Sequence, residues 1–194
     1  MSLMILLPAK QYTMNTLKKI VALVVLLVLV VGGYMIYGTF INPKSPKGVV
    51  NYEKEDLKIE VVYHRPFKKE RLIFGAKEDK ALVPFGEYWR LGANAATTFE
   101  TSQDIPFAGR MLKAGTYRMY AIPEADHWIV ALNEEAGKFG YNEPDYSKDV
   151  MRVNVTAAKL LTPVEQFTID IQEDGENLTL RMRWDTTSVA IPLN

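Results

Sequence analysis

The residues best suited to chemistry lie in the stretch EYWRLGANAATTFE, residues 87–100, and shortly before it. Trp89 offers a flat aromatic face, Arg90 a permanent positive charge and Asn94 an amide in a glycine-containing turn. Guanidinium groups beside an aromatic ring recognise anionic or sugar-like ligands, so these residue types predict a binding pocket. The candidate binding residues are Arg65, Arg71, Trp89, Arg90, Asn94 and Thr97.

A packed corner of the fold is the alternative interpretation of the same stretch. Tryptophans in β-proteins usually belong to the core, and Gly92 indicates a turn or a close backbone approach. Arg90 would then hold loop carbonyls or a buried acid such as Glu165, and Asn94 would stabilise the turn through its side chain. The sequence favours this corner and leaves the pocket open.

The residue types needed for several other chemistries are missing or isolated. The chain has no cysteine and two histidines, His64 and His127, so we predict no metal ligands. No phosphate-binding glycine loop or serine nucleophile motif occurs, so we predict no cofactor and no catalytic residue. The acids Glu143, Asp145 and Asp149 match no calcium loop and are expected in a solvated loop.

Short alternating segments dominate from residue 57 onward. LKIEVVY places Leu57, Ile59, Val61 and Tyr63 on one face and Lys58 opposite, which is typical of a half-buried strand. Eight or nine such strands, separated by turn residues, predict an all-β domain, a single antiparallel β-sandwich of jelly-roll-like or barrel-like form. Further strands are expected at 97–102, 115–122, 127–133, 149–157, 165–173, 177–184 and 187–193, with a hairpin around residues 108–110 and a turn at Gly175.

One transmembrane helix is expected before this domain. Residues 20–41 carry no charge, and as a helix they would span roughly 33 Å, enough to cross a bilayer. The run is longer than the core of a cleaved signal peptide, which favours an uncleaved anchor over that alternative. Lys18 and Lys19 precede it and favour an N-terminus inside. We therefore expect a single-pass protein of the inner (cytoplasmic) membrane whose C-terminal domain is periplasmic.

The expected organisation has four parts. Residues 1–19 form a cytoplasmic segment, 20–41 the helix, 42–51 a proline-containing linker and 52–194 the β-sandwich. Met14 opens a complete charged and apolar leader, so we expect it to be the natural start. From residue 51 onward the chain holds 18 basic and 23 acidic side chains, and this acidic balance predicts no nucleic-acid partner.

Four segments together resemble a known bacterial family, the domain of unknown function 2911 (DUF2911). They are YHRP with Arg71 and IFG, LVPFGEYWRLGANAAT, LKAGTY with a following IP, and HWIVALN followed by DVMRV. The resemblance covers about residues 57–172 and implies an exported or envelope protein with no established activity. Two positions depart from the family pattern: Ala95 stands where an acid is usual, and Phe139 replaces a tryptophan.

The function expected from these observations is a membrane-anchored envelope protein with a non-enzymatic module. That module would bind a small molecule or an envelope protein partner. The alternative is a hydrolase-type enzyme with an arginine and carboxylate site at the WRLGAN corner, residues 89–94. A purely structural envelope protein is the third hypothesis.

Overall fold

The computed structural model describes residues 14–37 and 44–194, which belong to two compact units. The first unit contains helix α1, Met14–Ile36, whose 23 residues reach about 34 Å. By length and composition α1 could be a membrane anchor or a signal sequence. It begins six residues before the predicted span 20–41, whose residues 38–41 lie outside the described part. Residues 1–13, before the expected start at Met14, also lie outside it.

The second unit is an all-β domain, as the alternating segments predict. Its strands are β1 (Lys47–Lys54), β2 (Leu57–His64), β3 (Phe74–Gly75), β4 (Val83–Pro84), β5 (Thr97–Thr101), β6 (Ile105–Phe107), β7 (Arg110–Leu112), β8 (Gly115–Pro123), β9 (His127–Asn133), β10 (Asp149–Asp174) and β11 (Asn177–Pro192). A short 3-10 helix, Tyr146–Lys148, precedes β10.

Seven strands form one curled antiparallel sheet in the order β1-β2-β5-β8-β9-β10-β11. Two small pairs, β3 with β4 and β6 with β7, lie outside this order. The predicted hairpin at residues 108–110 is present, with Ala108 and Gly109 both at positive φ between β6 and β7. This sheet confirms the sandwich-like or barrel-like all-β fold.

β10 and β11 are longer than the sequence indicates. Each was expected as two strands, but each runs continuously and bends where the pairing register shifts between Lys159 and Val164. The bend carries the second half of β10 back to β2, where the Tyr63 hydroxyl hydrogen-bonds to both backbone groups of Ile169, at 2.9 and 3.2 Å. Proline and threonine at 162–163 look like a break in the sequence, whereas the chain uses them in a bulge.

The domain starts earlier than the predicted residue 52. β1 pairs with β2 in unbroken register from Lys47, within the segment expected as linker, whose residues 42 and 43 lie outside the described part. Val50 and Tyr52 pack against the core, so inward-facing and outward-facing side chains already alternate along β1. The two prolines and two lysines that indicate a solvated spacer precede or only touch this strand.

Candidate functional site

Trp89 lies in the middle of the domain core. It is 6% exposed and pairs through its backbone with Ala121 of β8, at 2.8 and 2.9 Å. Four aromatic rings surround it at centroid distances of 4.9 to 5.9 Å: Phe74, Trp128, Phe167 and Trp184. These five rings are called the inner aromatic cluster below. A ring enclosed in this way contributes packing energy rather than a face for a ligand.

The rest of the WRLGAN corner is a tight turn held by internal hydrogen bonds. Leu91, Gly92 and Asn94 have φ values of 53°, 139° and 58°. A Cβ on Gly92 would lie 2.4 Å from the backbone oxygen of His64, so glycine is required there. The Thr97 hydroxyl donates to the Leu91 carbonyl at 2.6 Å, and the Trp89 indole donates to the Gly92 carbonyl at 3.3 Å.

The three predicted arginines reach three different parts of the chain. Arg65 donates to the Phe167 carbonyl at 3.4 Å and to the Thr168 hydroxyl at 3.3 Å. Arg71 donates to the carbonyls of Phe67 and Lys68. Arg90 donates to the Asn94 carbonyl at 3.4 Å. The structure describes no shared ligand position for them.

Glu165, the acid suggested as a partner of Arg90, is engaged elsewhere. Its carboxylate accepts from the Lys69 backbone N–H at 2.8 Å. Arg90 instead lies over the ring of Tyr141, 5.8 Å from the centroid. Arg90 therefore belongs with the long loop between β9 and β10, residues 134–145, rather than with Glu165.

A polar cluster lies on the other side of the corner, centred on Arg118 of β8. Arg118 is 1% exposed, and its guanidinium donates to the Tyr88 hydroxyl and to the Asn142 carbonyl. Its Nε has no hydrogen-bond partner. Within residues 14–37 and 44–194, no carboxylate forms an ion pair with it. A buried guanidinium held only by neutral oxygens is an unusual and costly arrangement.

Asp149 organises the neighbouring half of this cluster. Its carboxylate accepts from the Tyr120 hydroxyl at 2.6 Å, from the Asn133 amide at 2.8 Å and from Arg152 Nε at 2.6 Å. Arg152 also donates to the Tyr120 hydroxyl at 2.9 Å. The side chain of Asp149 is 8% exposed, so the expectation of a solvated acid is wrong for this residue. The outer polar cluster is defined as Tyr88, Arg118, Tyr120, Asn133, Asp149 and Arg152.

Burial and these charges shift the tyrosines of the site. Burial, followed by the hydrogen bond to Asp149, raises the pKa of Tyr120 far above its ordinary value of 10. Burial and the Glu143 carboxylate raise the pKa of Tyr146, whose ring lies under the Arg152 guanidinium at 5.0 Å. Both hydroxyls therefore stay protonated and act as hydrogen-bond donors at neutral pH.

Strand register explains how these side chains meet. Arg118 pairs with Asn133 across β8 and β9, and Asn133 pairs with Asp149 across β9 and β10. Residues alternate along β8, so Met119 and Ala121 enter the core while Arg118 lies on the outer face. The 134–145 loop covers that face, where the Tyr88 hydroxyl donates to the Gly140 carbonyl at 3.1 Å.

Sequence reasoning missed Arg118, Tyr120 and Asn133 because a polar residue on an alternating strand indicates exposure. One signal pointed the other way. HWIVALN in β9 is apolar on both faces, which is typical of a strand covered on both sides. Extending that inference to the adjoining strand would have placed Arg118 in a buried position.

Among the described residues, no group of three or more histidine, cysteine or acidic side chains could hold a metal ion. The acidic side chains of the loop instead bind lysines and backbone N–H groups. Glu135 accepts from Lys138 at 2.7 Å, from Lys148 at 2.9 Å and from the Asp145 N–H at 3.1 Å. The two lysines lower the pKa of Glu135 to about 2.

The comparisons with known proteins agree with the resemblance seen in the motifs. A family model described as "Protein of unknown function (DUF2911)" matches residues 45–193. The chain belongs to the DUF2911 family. No curated protein and no solved structure matches it.

The DUF2911 match includes the WRLGAN corner and the outer polar cluster. The two departures from the family pattern, Ala95 and Phe139, face each other in an isolated antiparallel bridge. A Cβ on the adjoining Gly140 would lie 2.8 Å from the Ala96 nitrogen. The DUF2911 loop therefore approaches the corner too closely for a side chain at position 140, which explains the glycine in physical terms.

Proposed function

We propose that this protein is a membrane-anchored binding module whose ligand is an anion held by the outer polar cluster. In this proposal α1 remains as an anchor in the inner membrane, with Lys18 and Lys19 inside and the DUF2911 domain periplasmic. The apolar length of α1 and the lysines before it support this orientation.

The observation that carries the ligand proposal is the buried guanidinium of Arg118. It is enclosed by the Tyr88 hydroxyl and the Asn142 carbonyl, which do not neutralise its charge. Together with Arg152 and Asp149 it gives the cluster two positive charges and one negative charge. A carboxylate, phosphate or sulfate group would supply the missing negative charge and could accept two parallel hydrogen bonds from a guanidinium.

In this proposal the ligand reaches Arg118 through the 134–145 loop. Asn142 is exposed although its carbonyl caps a buried arginine, and Tyr141 beside it is 73% exposed. An anion entering between Tyr88 and Asn142 would take the place of the Asn142 carbonyl. The exposed Tyr141 ring would then offer a face for the remainder of the ligand.

The state of Asp149 favours binding over acid–base catalysis. Its oxygens already accept hydrogen bonds from Tyr120, Asn133 and Arg152, so the carboxylate orients its neighbours. Tyr120 keeps its proton because its pKa is strongly raised, which makes it a poor general base. These two features support the module over the hydrolase hypothesis.

The test is thermal unfolding of the full chain in detergent micelles with carboxylates, phosphate, sulfate and acidic sugars. A ligand at 100 times its dissociation constant adds about 2.7 kcal/mol, which raises the midpoint by about 5–10 °C. Arg118→Met should fold with a stability within about 1 kcal/mol of wild type, because an apolar side chain replaces an uncompensated buried charge. It should also lose the ligand-induced shift.

Arg71→Met is the matched control, because Arg71 is exposed and donates to backbone carbonyls in another part of the domain. It should keep the full ligand-induced shift. If Arg118→Met fails to fold, Arg152→Met replaces it, since Arg152 is 41% exposed and belongs to the same cluster. The proposal is overturned if no anion shifts wild type, or if the variants of the cluster retain the shift.

A further inference from the structure

The end of the domain where the chain enters from α1 differs from the rest of its surface. At this end Lys47 pairs with His64, and the Arg65 N–H donates to the Pro46 carbonyl at 2.8 Å. The Lys68 N–H donates to the Glu165 carbonyl at 2.6 Å, which joins the second half of β10 to the same end. The entry end is defined as residues 46–47, 64–72, 159–170 and 181–185.

Its charge is opposite to that of the remaining domain. The entry end contains eight basic side chains and four acidic ones, a net charge of +4. The other residues from Asn51 onward contain 11 basic and 19 acidic side chains, a net charge of −8. A surface with this net positive charge on an otherwise acidic domain is suited to an anionic partner.

Three arginines in the entry end, Arg65, Arg181 and Arg183, lie around one carboxylate, and two of them bind it. Arg181 and Arg183 both bind Asp170, at 3.2 and 2.6 Å, and Arg183 Nε is buried without a partner. Thr168 is the cross-strand partner of Arg183 and accepts from Arg65. All these side chains therefore lie on one face of the β10–β11 hairpin, with two positive charges in excess.

Exposed lysines and leucines adjoin this face. Lys69 and Lys159 are exposed, and no acid within residues 14–37 and 44–194 forms an ion pair with either. Leu161, in the bulge of β10, is 105% exposed, and Leu72 is 46% exposed. Exposed leucines surrounded by lysine and arginine are the residue types of surfaces that bind to the interface of anionic bilayers.

The length of the connecting chain would keep this end near any membrane that α1 spans. Nine residues separate Ile36, the last residue of α1, from Pro46, which contacts Arg65. Nine residues extend to about 30 Å at most. If α1 spans a bilayer, the entry end is tethered at a high effective concentration over that bilayer's surface.

We propose that the entry end docks on the surface of the membrane that holds α1, with its arginines and lysines at anionic lipid phosphates and Leu161 at the interface. This inference rests on the anchoring part of the proposed function and is independent of the anion site at Arg118. Guanidinium groups bind lipid phosphates with two parallel hydrogen bonds, and lysines add attraction that salt weakens. Docking would fix the orientation in which Arg118 and its loop are presented to solvent.

The chain has no cysteine, so a single introduced cysteine can report on one position. Leu161→Cys, labelled with an environment-sensitive fluorophore, is compared in full-length protein inserted in nanodiscs of phosphatidylcholine alone or with phosphatidylglycerol. The label should shift to blue emission in the anionic nanodiscs, and high salt should reverse the shift. A label at Gln103→Cys, at the opposite end of the sheet, should not respond.

Charge reversal tests the contribution of the basic side chains. Lys69→Glu with Lys159→Glu should reduce the docked fraction, by about 5-fold in the docking equilibrium for each charge neutralised. Lys58→Glu with Lys113→Glu makes the same change in total charge at the opposite end and should leave docking unchanged. If the label at 161 is the same in both lipids, or if both double variants behave alike, docking is overturned. Failure to remain in nanodiscs would instead overturn the anchor.

Discussion

Tyr88 and Trp89 are neighbours in the chain but lie in opposite environments. Trp89 enters the inner aromatic cluster, in which it contacts four other rings and no ionised side chain belongs to the cluster. Tyr88 faces the outer polar cluster, in which Arg118 is buried with neutral partners and one unpartnered nitrogen. Alternation of side chains along an extended segment accounts for the separation.

The difference indicates where the family's function should be sought. The inner aromatic cluster is accounted for by packing, because each ring contacts at least two others, although Trp184 Nε1 is buried without a hydrogen-bond partner. The outer polar cluster carries a buried charge whose hydrogen-bond partners are neutral, which is costly to the fold unless a ligand compensates the charge. The side chains of WRLGAN, the most conspicuous motif in the sequence, are therefore engaged in packing and turn contacts, and we propose the ligand site at the less conspicuous Arg118.

The largest effect is expected from Trp89→Ala. Removing an indole from a core that cannot collapse around it should lower the free energy of unfolding by about 3–5 kcal/mol. Tyr88→Phe, one residue away, should cost less, about 1–3 kcal/mol, since it keeps the ring and removes two hydrogen bonds of the hydroxyl, one of them from Arg118. Chemical denaturation of the full chain in micelles, followed by the remaining tryptophan fluorescence, measures both. Equal losses of unfolding free energy in the two variants would show that the inner aromatic cluster and the outer polar cluster do not differ in their contribution to stability.

Gly92→Ala should be next in size. The new methyl group would lie 2.4 Å from the His64 carbonyl, which is backbone and cannot swing aside. Gly109→Ala is the matched control, because Gly109 also has positive φ, 76°, but nothing lies within 4 Å of the added Cβ. The first variant should lose at least about 3 kcal/mol and the second about 1 kcal/mol. Similar losses would mean that φ alone, and not the close approach, requires glycine at 92.

The sequence allowed the strands to be predicted because the core face repeats every second residue, as at Ile59, Val61 and Tyr63. It also placed Gly175 correctly in the turn between β10 and β11, where φ is 60°. It did not indicate that β10 continues through residues 158–164, since pairing across a bulge depends on β11, a distant segment. Local propensity carries no information about such a partner.

The candidate site was harder to predict for the same reason. Arg65, Arg71 and Arg90 are close in the sequence, and the prediction assumed that they converge, whereas each donates to a different segment. Arg118 and Asp149 are 31 residues apart and lie in one cluster because both flank Asn133 across strand pairs. Register between strands, which the sequence does not specify on its own, decides which charges meet.

Asp149→Asn should have a moderate effect on stability and a distinct effect on binding. Loss of the charged acceptor weakens the hydrogen bonds from Tyr120 and Arg152, at a cost of about 1–3 kcal/mol. Removal of the negative charge that binds Arg152 in the same cluster should also strengthen binding of the anion found in the micelle assay. Asp174→Asn, at the exposed end of β10, is the control and should change neither quantity. Weaker anion binding by Asp149→Asn would contradict the placement of the ligand in this cluster.

The smallest effect concerns the loop that covers Arg118. The pKa of Glu135 is about 2 in the folded protein, against an ordinary value of 4.5, because Lys138 and Lys148 bind the carboxylate. A carboxyl group with a lowered folded pKa stabilises the structure above its unfolded pKa. That contribution is lost as the pH falls from about 4.5 towards 2. The loop should therefore loosen within this window while the core remains folded.

Hydrogen exchange of residues 134–148, corrected for the intrinsic effect of pH, measures this loosening. Glu135→Gln should open the loop already at neutral pH and remove most of the dependence between pH 4.5 and 2. The pH dependence that remains in Glu135→Gln is assigned to Asp145. The pKa of Asp145 is also lowered, chiefly by the Ser147 hydroxyl. Glu134→Gln changes an adjoining exposed acid and should preserve the wild-type profile. If low pH increases hydrogen exchange in the inner aromatic cluster as much as in the loop, the loop and the core unfold together. The loop would then not open independently over Arg118.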